Sequence, residues 1–76
     1  MNRTAQYQFT IVVPVFNEED NMPNLEKALA DFLPKSLYKA CVLFVNDGSR
    51  DDSLLKIKEI CSRREDFFYI SFVKNA

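Results

Sequence analysis

The stretch that most constrains this chain is Val42-Leu43-Phe44-Val45-Asn46-Asp47-Gly48-Ser49-Arg50-Asp51-Asp52-Ser53. An apolar run drives straight into an acidic turn holding Gly48, the only glycine in the sequence, and a helix-like pattern follows. Apolar residues on both faces of a run indicate a strand buried in a parallel sheet. Open α/β sheets bind ligands beyond the carboxyl ends of their strands, so an acidic group at such an exit is well placed for a ligand. A second exit of the same kind, Val12-Val13-Pro14-Val15-Phe16-Asn17-Glu18-Glu19-Asp20, stands one unit earlier. The chain reads as two acidic strand exits side by side.

The intervening patterns complete the order. Residues 1–8 form a polar lead-in, and Phe9–Val15 is a β-branched run predicting the first strand. Pro14 donates no ladder hydrogen bond, which puts it among the strand's last residues or against an unpaired edge. Asp20 or Asn21 is the candidate N-cap of the next helix, and Pro23 suits its first turn. Met22, Leu25, Ala28, Leu29, Phe32 and Leu33 recur at helical spacing as one apolar face, which Pro34 ends. Residues 40–45 predict the second strand. Asp51 or Asp52 caps the helix after it, whose inner stripe is Leu54, Ile57, Ile60 and Cys61, widened by Leu55. Residues 67–73 predict a third strand, with Tyr69 and the phenylalanines as core. The order is β-α-β-α-β, with connections long enough for right-handed crossovers between parallel strands. No element closes the chain after Lys74-Asn75-Ala76, which predicts an incomplete domain spanning residues 1–76.

Composition narrows the function classes. Of 76 residues, 47% are hydrophobic and seven are Phe, a large core allotment that argues against disorder. A net charge of −1 does not supply the basic stripe a nucleic-acid binder needs. Without any histidine, Cys/His zinc sites and Ser-His or Cys-His nucleophiles are excluded. Cys41 and Cys61 sit in apolar segments without metal-ligand spacing and read as free thiols of a reducing cytosol. The N-terminus is too polar for a signal peptide, and there is no run of about 18 apolar residues to span a bilayer. The expected location is cytoplasmic.

One glycine cannot build G-x-G-x-x-G or a P-loop, which removes the common dinucleotide and ATP fingerprints. What remains is recognition by side chains. Asn17, Glu18, Glu19, Asp20 and Asp47 can accept hydrogen bonds from ribose hydroxyls or a base N–H, with Pro14 and Phe16 as an apolar wall. Asp51 and Asp52 read first as helix caps, and residues 18–20 taken alone read first as a solvated loop. Asp47 follows the apolar run directly and is the strongest single candidate.

The two exits together, Ile11-Val12-Val13-Pro14-Val15-Phe16-Asn17-Glu18-Glu19 and Val45-Asn46-Asp47-Gly48-Ser49-Arg50-Asp51-Asp52-Ser53, resemble family-two glycosyltransferases. The likeness is to the branch of dolichyl- or polyprenyl-phosphate mannosyl- and glucosyltransferases. Their first strand exits through V-P-x-x-N-E and their second through D-G-S-x-D-x-S/T. The resemblance covers about residues 10–76. It implies a three-layer, Rossmann-like half of a GT-A fold and transfer of a hexose, with inversion, from a UDP- or GDP-sugar to a polyprenyl phosphate or glycan. Such enzymes serve cell-wall or glycan biosynthesis, and the complete enzyme is expected at the cytoplasmic face of a membrane.

By motif match, Pro14, Phe16, Asn17 and Glu18 would line the nucleotide pocket. Asp47 would contact base or ribose, and Gly48 would shape the turn. Lys74-Asn75 falls where the family often has Arg-Asn, and lysine keeps the charge without the guanidinium fork. Mg²⁺ or Mn²⁺ is expected at the diphosphate in the complete enzyme. The D-x-D motif that holds it, and the carboxylate that acts as general base, have no counterpart in this chain. The expectation is therefore a nucleoside-holding portion, inactive alone. The rival from another class is a non-catalytic α/β module whose open sheet edge mediates self-association. A phospho-acceptor receiver domain fits less well, since it wants an Asp after the third strand.

Overall fold

The computed structural model describes residues 6–72, so residues 1–5 and 73–76, among them Val73 and the Lys74-Asn75 pair, lie outside the described residues. Five regular elements follow one another as β1 (Phe9–Val15), α1 (Met22–Phe32), β2 (Ala40–Asp47), α2 (Ser53–Arg63) and β3 (Phe67–Phe72). A short 3-10 turn, Glu19–Asn21, leads into α1, and a second, Leu33–Lys35, follows it. The three strands form one parallel sheet in the order β1-β2-β3. The α/β class, the parallel sheet and the β-α-β-α-β order are those expected.

Both crossovers step across the sheet in the same direction, and the right-handed rule then sends both helices to one face. The core agrees: Val15, Met22, Val42, Phe44, Ile57, Ile60 and Phe67 form one buried cluster drawn from all five elements. Across the strands, Val13 is level with Phe44, and Phe44 with Tyr69. Phe44 is fully buried at the centre and packs 5.9 Å from Phe67, ring centre to ring centre. Burying such a side chain contributes about 1.5–3 kcal/mol. The described residues thus build two of the three expected layers, the sheet and one layer of helices.

Several details differ from the sequence expectation. Only part of the α1 stripe packs inward: Met22 is buried and Leu25, Leu29 and Leu33 join the core, whereas Ala28 and Phe32 face solvent. Leu55 is exposed instead of widening the α2 stripe, and a fully buried Ser53 starts that helix. The aromatic residues divide likewise, with Phe44 and Phe67 buried while Phe9, Phe16, Phe32, Tyr69 and Phe72 are exposed. A three-stranded sheet offers too narrow a floor for two wide helical faces. Pro14 sits next to last in β1, an edge strand among the described residues, where its missing N–H interrupts no ladder. Cys41 and Cys61 are free, the first buried and the second half-buried.

Candidate functional site: the paired exits of β1 and β2

Parallel pairing places Val15 level with Asn46, so both chains leave the sheet at the same height. Each turns through one residue with positive φ: Asn17 at 51° and Gly48 at 68°. Glycine adopts this region freely, and asparagine is among the few other residues that tolerate it.

Five hydrogen bonds then join the two loops. The Asn17 N–H donates to Ser49 Oγ at 3.0 Å, and the Glu18 N–H to Ser53 Oγ at 2.7 Å. The Glu19 N–H donates to Asp51 Oδ2 at 3.2 Å. In the other direction, the Arg50 N–H donates to Asn17 Oδ1 at 2.8 Å, and the Asp52 N–H to Glu19 Oε1 at 3.3 Å. Every one pairs a backbone N–H of one loop with a side chain of the other, so neither loop holds its shape alone. Asp51 also accepts from the Ser53 N–H at 2.9 Å through Oδ1, covering the first turn of α2. Hydrogen bonding from the Ser53 side chain is the main reason its carboxyl is held below the ordinary aspartate value; burial opposes it, and the Ser53 and Glu19 backbone N–H groups add to the lowering.

The expected site residues thus separate by task. Asn17 is a structural clamp through its amide oxygen and its backbone N–H. Glu18 contributes its backbone to the clamp and is half-buried. Gly48 makes the second turn. Pro14 lies level with Val45, and Phe16 is 45% exposed just past the strand end. Asp47 is exposed, and its side chain has no hydrogen bond or ion pair among the described residues. An aspartate presented at the mouth of a clamped turn is available to a ligand.

Asn46 and Ser71 escaped the sequence reading. Asn46 is 2% exposed; its Oδ1 accepts from the Ser49 hydroxyl at 2.5 Å, and its Nδ2 donates to Ser71 Oγ at 3.0 Å. The available signal was its phase, since alternation from Val42 and Phe44 puts Asn46 on the helix-covered face. Among the described residues, no three Asp, Glu, Cys or His side chains cluster to hold a metal ion. Asp51 already directs both oxygens at backbone N–H groups. These residues do not by themselves fit the expected Mg²⁺ or Mn²⁺. A cleft of about 620 Å³ lies at the opposite end of the sheet, beside Ala40 and Phe67. It is therefore separate from the exits.

Comparison with known proteins gives the family. Residues 10–76 match the family described as glycosyl transferase family 2. A prophage bactoprenol glucosyl transferase homolog of Escherichia coli is 41% identical over 44 residues, 58% of this chain and 14% of the relative. The bactoprenol glucosyl transferase of Shigella phage SfV matches to the same extent. The undecaprenyl-phosphate 4-deoxy-4-formamido-L-arabinose transferase of Pseudomonas fluorescens is 32% identical over 66 residues, 87% of this chain and 19% of the relative. The chain thus spans less than a fifth of the length of these relatives. Its clasped exits fall within the matched residues, and the chain belongs to glycosyl transferase family 2.

Proposed function

We propose that this chain is the nucleoside-holding part of an inverting glycosyltransferase. The complete enzyme transfers a hexose from a UDP- or GDP-sugar to a polyprenyl phosphate or glycan. The observation that carries the reading is the place of Asp47: its carboxylate is exposed beside the Gly48 turn and without a partner among the described residues, while the side chains of Asn17, Ser49 and Asp51 around it are consumed by the clasp. A carboxylate there accepts hydrogen bonds from ribose hydroxyls or a base N–H, and Pro14 and Phe16 supply apolar surface for the base. Asn17, Glu18 and Gly48 hold the shape of that pocket. The names of the relatives support a polyprenyl-phosphate acceptor. Mg²⁺ or Mn²⁺ belongs to the complete enzyme, where it would neutralise the leaving diphosphate. No step at these residues runs through it. No helix among the described residues is long and apolar enough to cross a membrane, and the proposed station is the cytoplasmic face.

Titration of UDP, GDP and their sugars, followed by amide chemical shifts, tests the reading. Shifts should concentrate at Asn17, Asp47 and Gly48, and Asp47→Ala should abolish them. Shifts that survive Asp47→Ala, or that cluster at the Ala40 end of the sheet, would sink it.

One observation favours a second reading, self-association. The sheet face away from the helices exposes Val12, Ile70 and Phe72.

A further inference from the structure

We infer that Asn46 is a positioning residue for the proposed donor site, tying β3 to both exit loops through one side-chain amide. It stands at the carboxyl end of the central strand, level with Val15 on one side and Ser71 on the other. From β3 the path runs Ser71 Oγ, Asn46 Nδ2 and Oδ1, Ser49 Oγ, then the Asn17 backbone N–H. It continues from Asn17 Oδ1 to the Arg50 N–H, returning to the second loop.

The chemistry of the amide explains why an asparagine stands here. A buried amide is costly unless its polar ends are paired. Its oxygen only accepts and its nitrogen only donates, so pairing both ends fixes its orientation. A valine or leucine would continue the Val42, Phe44 alternation equally well and would leave Ser49 without this anchor. Ser49 in turn holds Asn17 at a φ of 51°, which a residue with a Cβ keeps only when its surroundings impose it. Asp47 lies between the fixed Asn46 and the Gly48 turn, so Asn46 also sets the base from which Asp47 is presented. That last step rests on the nucleoside reading of the site, whereas the path itself does not.

The test uses the chain as it stands, with amide hydrogen exchange measured without ligand and UDP or GDP titrated afterwards. Asn46→Ala should speed exchange at Asn17 and Arg50 by about tenfold or more relative to the core amides of Val42 and Phe44. It should weaken nucleotide binding by a similar factor. Should Asn46→Ala fail to fold, Ser49→Ala removes the same anchor at a half-buried site and should release the Asn17 amide alike. Asn46→Asp keeps an acceptor for Ser49 and should restore protection at Asn17, whereas Asn46→Leu, which has the same branching without the acceptor, should not. Equal protection in the two variants would mean a space-filling role and overturn the inference. Asp47→Ala should abolish binding and leave exchange at Asn17 and Arg50 unchanged.

The inference is overturned if Asn17 and Arg50 exchange only in step with global stability in the Asn46 and Ser49 variants. It is equally overturned if their protection falls while nucleotide affinity holds. A wild-type chain without nucleotide response, alongside faster exchange in the variants, overturns the donor reading and leaves the hold on both loops standing.

Discussion

Asp47 and Asp51 stand at either end of one turn, and the structure gives the same side chain opposite surroundings: Asp47 is exposed and Asp51 is hydrogen-bonded. Asp51 accepts from the backbone N–H groups of Ser53 and Glu19, so it closes the turn leading into α2, whose N-cap Asp52 makes no side-chain cap bond, and pins the neighbouring loop with one carboxylate. That Asp51 or Asp52 stands at the helix cap was legible, because an aspartate just before a helical stripe has a near N–H to accept from. Yet the cap position falls to Asp52, and the bond to the Ser53 N–H comes from Asp51. The bond to Glu19 was not, since it exists only once β1 and β2 are parallel and in register. Asp47 was legible as an exposed candidate because it ends an apolar run. Asn46, one position earlier, was hidden inside that run. The lowered pKa of Asp51 gives its stabilisation a sign. The folded state favours the ionised form, so the contribution is full above the unfolded aspartate value. It is lost as pH falls through the lower folded value. In urea unfolding followed from neutral pH downwards, wild type should lose its advantage over Asp51→Asn only in that acid window. A constant gap at every pH would show that the charge contributes nothing to the clasp.

Between elements, the joint between α1 and α2 depends on one carboxylate and two guanidinium groups. Glu26 accepts from Arg63 Nη2 and Arg64 Nε, each at 2.7 Å, with its own side chain 14% exposed. Burial pushes the Glu26 carboxyl up, but the bonds from Arg64 and Arg63 outweigh it and hold the group below its usual value. The helices themselves were legible from apolar spacing, and Pro34 correctly ended the first. Their pairing was not, because helical spacing does not say which face meets a neighbouring helix. That gap is also why Ala28, Phe32 and Leu55 were assigned inward: periodicity gives a stripe's direction but not the width of the surface beneath it. Both arginines are substantially exposed, so solvent and salt weaken the pair. Glu26→Gln should cost about 0.5–1 kcal/mol in urea unfolding at low salt, and less in high salt. Because the folded pKa is lowered, the wild-type advantage should persist at neutral pH and disappear as pH falls through the acid range. A salt-independent loss would point to packing of the Glu26 stem instead of its charge.

For the molecule as a whole, strands apolar on both faces already predicted cover on both sides of the sheet. The helices cover one, and on the other the described residues cover only the end where Cys41 is buried and Tyr7 packs on Phe68. Val42, Phe44 and Phe67 meet the helices, while Val12, Ile70 and Phe72 are 59%, 45% and 54% exposed on the other side. The hydrophobic content that looked large for so short a chain is therefore explained by position: part of it forms a core, and part lies on a face that the described residues leave largely exposed. Contiguous exposed apolar surface favours association, and an edge strand without charge or proline such as β3 does not oppose it. The proposed self-association should appear in sedimentation as a mass that rises with concentration. Combined Val12→Thr, Ile70→Thr and Phe72→Ser should return the chain to a monomer, because these side chains lie on the exposed face. Since none belongs to the buried cluster, each substitution should change unfolding free energy by only about 0.5 kcal/mol. A wild-type chain that stays monomeric at every attainable concentration would refute self-association. Wild-type association that survives the triple substitution would instead move the contact from this face to the backbone edge of β3.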